Sequence, residues 1–162
     1  MVGAFVVELF ELGFNEVPAN GRNEMTLVWR KQLEIGDESI DTDHKYLICL
    51  INTVELAMRI PEHRDVLATT LTQLFDYTHA HFEREESIML AMRYTRYDQH
   101  KIQHQLLIRE LGSIQQNIAA RGEGEYSVEE CDAISKLLRH WLVDHLVKED
   151  MLLRPALTGK PS

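Results

Sequence analysis

Eight histidines are distributed along the 162 residues, and five of them stand at spacings that could direct imidazoles to one point. His100-Lys-Ile-Gln-His104 is an i, i+4 pair. On a helix two such side chains lie only about 40° apart, so both can reach one metal ion. His81-Phe-Glu-Arg-Glu85 has the same spacing and pairs a nitrogen donor with a carboxylate. His44 closes the run Ile40-Asp-Thr-Asp-His44, and His145 is followed by Glu149 and Asp150. The chemistry this offers is metal coordination by imidazole and carboxylate. Any one pair is more often a surface coincidence, and a lone helical histidine such as His44 is more often a surface or satisfied core residue. The force of the pattern lies in where the residues fall together.

That joint position depends on the helices that carry them. From Asp41 onward apolar residues recur at three- and four-residue spacing, and no stretch of alternating β-branched residues competes. Tyr46, Leu47, Leu50, Val54 and Met58 mark a first helix over about 42–60, limited by Pro61. Val66, Leu67, Leu71, Leu74, Phe75, Phe82, Met89 and Met92 mark a second over about 63–92. Ile102, Leu106, Leu107, Leu111, Ile114 and Ile118 mark a third over about 97–120, closed by Gly122 and Gly124. Ser127-Val-Glu-Glu130 is a capping-box signature that opens a fourth over about 128–153, ending before Pro155. Four long helices with short connections give an all-α, up-down-up-down bundle. In that topology the starts of the first and third helices meet the ends of the second and fourth. His44, His81, Glu85, His100, His104, His145 and the carboxylates after it therefore converge on one layer.

The donor set narrows the metal. Five imidazoles with two carboxylates exceed a closed tetrahedral zinc site. Neither cysteine, Cys49 or Cys131, is among them, which argues against iron–sulfur and structural zinc. The helical His-Lys-Ile-Gln-His lacks the glutamate of a metalloprotease motif. No Glu-x-x-His occurs, unlike the carboxylate-rich ferritin-type bundles. Imidazole dominance with two carboxylates able to bridge suits a pair of iron ions.

Composition adds bounds. An apolar fraction of 44% with 27% charged residues is ordinary for one globular domain. A net charge of −9 disfavours a nucleic-acid partner. No apolar run approaches the roughly 20 residues that span a bilayer, so no membrane insertion is expected. Two cysteines make no disulfide framework, and free, buried thiols in the cytoplasm are the expectation. Residues 1–24 differ from the rest. They hold a short apolar stretch without a basic start and then a Pro- and Gly-containing turn, and are read as an appendage, a short helix or linker, to a bundle over 25–162.

The stretches Ile40-Asp-x-x-His44, Tyr77-Thr-x-x-His81-Phe-x-x-Glu85-Glu86, His100-x-x-x-His104 and Trp141-Leu-x-x-His145-Leu-x-x-x-Asp150 resemble those of the bacterial hemerythrins. The likeness runs from Trp29 to Asp150, about three quarters of the chain. It implies that His100, His104 and His145 hold one iron and that His44 and His81 hold the other. Glu85 and Asp150 would bridge the non-haem di-iron centre, with a solvent-derived oxo or hydroxo group as third bridge. It also implies an open position on the two-histidine iron for dioxygen, and apolar surroundings from Ile48, Phe82, Trp141 and Leu142. Helical phase disagrees at one point. Glu149, not Asp150, stands about 40° from His145, and a local π-type widening is expected to bring Asp150 onto the site.

The function expected from the resemblance is reversible dioxygen binding for delivery or storage, with no enzymatic turnover. Oxygen or redox sensing through a protein partner, and nitric oxide or peroxide chemistry, are the alternatives. His63, His79 and His140 match no ligand position and are expected to be exposed or locally hydrogen-bonded. Tyr77, Tyr94, Tyr97 and Tyr126 are read as packing residues, and Glu86 as solvated.

Overall fold

The computed structural model describes residues 27–122 and 124–159, and the appendage expected over 1–24 lies outside them. The described residues form helices only. The four long ones are α1 (Glu38–Met58), α2 (Arg64–Ala91), α3 (Tyr97–Ala120) and α4 (Val128–Lys148). A 3-10 turn over Asp150–Leu152 and a short α5 (Arg154–Thr158) follow. Packing of α1 on α2 and α4, and of α3 on α2 and α4, makes the antiparallel bundle.

α1 begins about a turn earlier than apolar periodicity places it, because Asp37 caps it. The Asp37 carboxylate accepts from Ser39 N at 3.0 Å and Ile40 N at 3.1 Å, and Glu38 and Asp41 favour the positive end of the helix. Asp41 turns back to accept from Ile35 N at 2.8 Å, tying the incoming chain to the helix start. α3 ends with Gly122 at φ 64, the left-handed position that stops a helix. α4 opens on the expected capping box: Glu130 N donates to Ser127 Oγ at 3.2 Å and Ser127 N to Glu130 Oε2 at 2.8 Å. Pro155 does not terminate the chain's helical course. It sits in the first turn of α5, where its missing N–H is no loss.

Two apolar clusters lie on either side of the histidine layer. The larger fills the bundle with residues such as Leu47, Ile51, Leu74, Leu111, Leu138 and Trp141. The smaller, of Ile35, Ile40, Met89 and Leu153 with Tyr94, Tyr97 and Leu157 against it, closes the end. Gly36 lets the incoming chain approach α5 closely. Its φ is +100, and a Cβ there would stand 2.5 Å from Thr158 Cγ2 of α5.

Four residues assigned to the apolar stripes face outward: Tyr46, Val66, Ile102 and Leu106. On α3 the buried face consists of His100, His104, Leu111 and Ile118. Polar side chains occupy core positions in its first half, so apolar periodicity misplaces Ile102 and Leu106 there, while Leu111 and Ile118 face the core.

Candidate metal centre

All four long helices and the turn after α4 contribute to one buried cluster. His44 comes from α1, His81 and Glu85 from α2, His100 and His104 from α3, His145 from α4 and Asp150 from the 3-10 turn. All seven are buried. Asp150 is central: its Oδ2 lies 3.0 Å from His44 Nε2, and its Oδ1 lies 2.9 Å from His145 Nε2 and 3.2 Å from His100 Nε2. Glu85 Oε2 lies 3.3 Å from His104 Nε2 and 3.8 Å from His81 Nε2. Donor atoms within 4.8 Å of one another fall into two groups, Glu85–His100–His104–His145–Asp150 and His44–His81–Asp150. One group has three imidazoles, the other two, and Asp150 belongs to both.

Proximity here is not hydrogen bonding. Among the described residues, His44 Nε2 and all four carboxylate oxygens of Glu85 and Asp150 are buried without a hydrogen-bond partner. Buried carboxylates left so are costly unless a cation sits among them. Nε2 of His104 and His145 approach to 3.1 Å. Because His104 Nδ1 faces the Glu86 carboxylate at 3.1 Å, its proton belongs there, and Nε2 presents a lone pair toward its neighbours. Crowded lone pairs and orphaned carboxylate oxygens fit cation binding, and no thiolate is among the donors.

The electrostatics divide the imidazoles: against the effect of burial, Asp150 raises His44 and His100. Burial, aided by His100, pushes the His104 imidazole down to about 4. Burial also lowers His81. Both are thereby kept in the neutral form that binds metal. The two carboxylates are driven apart. Burial and the Asp150 charge raise Glu85. Asp150, despite burial, is held well below the usual range by His145, His100 and His44.

Asp150 reaches the site by a different route from the widened turn expected. Glu149 leaves helical geometry at φ −117, ψ −55 as its N–H donates to His145 O at 2.8 Å. The chain then tightens into the 3-10 turn, with Leu152 N on Glu149 O at 3.0 Å and Leu153 N on Asp150 O at 2.8 Å. This break rotates Asp150 inward and Glu149 outward, where Glu149 faces Arg96 at 3.4 Å.

Three residues that sequence reasoning passed over support the cluster. Glu86, read as solvated, accepts from Lys101 Nζ at 2.7 Å and orients His104. Asp43 faces His81 Nδ1 at 3.3 Å and accepts from Tyr77 Oη at 2.7 Å and Arg84 Nε at 2.8 Å. Tyr77 is thus more than packing: burial and Asp43 push its phenol up to about 12. Each carboxylate stands next in sequence to a site residue, about 100° around its own helix, and reaches an imidazole on the neighbouring one. Phase on a single helix does not show that.

Ile48, Phe82, Trp141 and Leu142 are buried as expected. Phe82 stacks on His104 with ring centroids 3.8 Å apart and planes at 6°. Trp141 Nε1 donates to Leu107 O at 2.9 Å. His63 and His79 are exposed, and His140 faces Asp144 at 3.4 Å on the outside of α4.

A histidine-rich metal centre assembled across four antiparallel helices is thus the class of site the geometry defines. Residues 35–157 match the family model described as "Hemerythrin HHE cation binding domain", and the chain belongs to that family. It is 33% identical over 124 residues to a bacteriohemerythrin of Pseudomonas paraeruginosa, covering 76% of each chain. It is 29% identical over 119 residues to a bacteriohemerythrin of Methylococcus capsulatus, covering 74% of this chain and 86% of that one. The crystal structure of a point mutant, 26% identical, superposes with a TM-score of 0.70 over 83% of this chain and 99% of its own.

Proposed function

We propose that this chain binds dioxygen reversibly at a non-haem di-iron centre, for delivery or storage, without catalytic turnover. The observation that carries the reading is the unequal division of imidazoles between two donor groups that share Asp150. Three histidines, His100, His104 and His145, would hold one iron. Only His44 and His81 would hold the other, with Glu85 and Asp150 bridging. The two-histidine iron would be left a ligand short, and that deficit is the place for a small diatomic molecule. When bound, the iron pair supplies the electrons that dioxygen accepts and returns.

The chain's own residues provide what reversibility requires. Phe82, Ile48, Trp141 and Leu142 exclude water from the bundle side, and the Ile35–Ile40–Met89–Leu153 plug excludes it from the end. Asp43 and Glu86 keep His81 and His104 turned with Nε2 inward. No helix among the described residues is long and apolar enough to cross a membrane, and a cytoplasmic location is part of the proposal.

The test is gas cycling. Protein loaded with ferrous iron under argon is exposed to air and returned to argon while oxygen uptake and visible absorption are followed. Uptake of about one dioxygen per iron pair, released under argon over repeated cycles, supports binding. Rapid oxidation that argon does not reverse overturns it in favour of sensing or an enzyme.

A further inference from the structure

We infer that Asp43 is a positioning residue for the two-histidine half of the centre: it fixes the tautomer and orientation of His81 and brings a negative charge to that metal's ligand shell. The inference rests on the di-metal reading above, but concerns a residue outside the seven donors.

Asp43 is buried on α1 and offers its two oxygens to three groups on α2. Tyr77 Oη and Arg84 Nε donate to it, at 2.7 and 2.8 Å. Arg84 can only donate, so Asp43 Oδ2, the oxygen that His81 also faces, acts as an acceptor. The ring nitrogen of His81 that faces it, Nδ1 at 3.3 Å, therefore carries the proton, and Nε2 is left to face Glu85 and the interior. A histidine whose outer N–H is held by a carboxylate is a better-oriented and more basic metal ligand.

The other imidazole of this half has no such support. His44 Nδ1 is buried with no hydrogen-bond partner among the described residues, whereas His81 has the Asp43 carboxylate. In the three-histidine half Glu86 plays the corresponding part toward His104. Asp43 is also the link between this buried ligand and the surface, because Arg84 and Tyr77 are partly exposed. Arg84 lies 5.4 Å from the Tyr77 ring, and Tyr46, itself exposed, packs on Tyr77 at 4.5 Å. The Asp43 network thus spans from solvent to the half of the centre where dioxygen is proposed to enter.

Asp43→Asn keeps the shape and removes the charge. Wild type and variant are loaded with iron, challenged with a chelator, and compared in metal retained, midpoint potential, and melting temperature with and without metal. The expected result is loss of one of the two irons about 10- to 100-fold more readily. The remaining loaded fraction should show a higher midpoint potential, because the lost anion had favoured the more positive metal state. The metal-dependent gain in melting temperature should shrink more than the metal-free melting temperature itself falls. Glu86→Gln is the control and should weaken the three-histidine half instead. An Asp43→Asn protein that retains two irons with wild-type kinetics and potential overturns the inference while leaving the di-iron reading intact. So does one whose loaded and metal-free forms lose equal stability, since that marks a purely structural residue. A wild type that does not take up two metals overturns both.

Discussion

Oδ1 of Asp150 lies 2.9 Å from Nε2 of His145, although the two are five residues apart. On an unbroken helix that separation sets side chains about 140° apart. The contact forms where α4 stops at Lys148: Glu149 departs from regular helical dihedrals at φ −117, ψ −55, and Asp150 begins a separate 3-10 turn.

That relationship yields a discriminating pair of substitutions. Asp150→Ala removes the carboxylate shared by both donor groups and is expected to abolish the two-metal centre, seen as loss of its iron content and visible spectrum. Glu149→Ala removes only the partly exposed partner of Arg96. It should leave the spectrum intact and change stability by less than about 1 kcal/mol. The opposite outcome would reverse the assignment of the two carboxylates.

How much of this was legible in the sequence varies with the kind of signal. The four helices were legible because Pro61, Gly122 and the Ser127–Glu130 box punctuate apolar periodicity, although α1 was placed late because its Asp37 cap was overlooked. The convergence of the seven donors followed from antiparallel topology and spacing, and their division into sets from resemblance. What was hidden depended on neighbours in space. Asp43 and Glu86 act across helix pairs, and Asp150 depends on a backbone break with no sequence marker. The outward position of Ile102 and Leu106 was hidden because His100 and His104 hold the core face of α3.

Metal removal should be costly. The metal-free interior keeps Glu85 and Asp150 with unpartnered oxygens, and unsatisfied buried groups cost about 1–3 kcal/mol each. Since about 1 kcal/mol moves the melting temperature of a chain this size by about 2–4 °C, chelation should lower it by roughly 10 °C. Calorimetry of loaded and metal-free protein measures this directly. Coincident transitions would mean that the cluster is stable without a cation.

The two thiols should behave differently from each other. Both are free, but Cys49 is exposed, contrary to the buried pair expected, while Cys131 is buried with its thiol directed at Met58 O at 3.6 Å. Cys131 is therefore level with the end of α1. Cys49 lies nine residues back along that helix, about 13 Å away at about 1.5 Å per residue, beyond the roughly 7 Å between Cα atoms that a disulfide spans. Native protein should label at one thiol and unfolded protein at two, with no intramolecular disulfide in the non-reduced mass. Rapid native labelling of both would place Cys131 outside the core.

The central claim is a two-metal centre, proposed to hold iron between two unequal sets of imidazoles. It is tested most directly by counting metals per chain after the metal-free protein is offered excess ferrous iron under argon and passed through gel filtration. The account predicts two irons per chain, one for each donor group, with one lost selectively from His44→Ala or His81→Ala. A single ion per wild-type chain would contradict it.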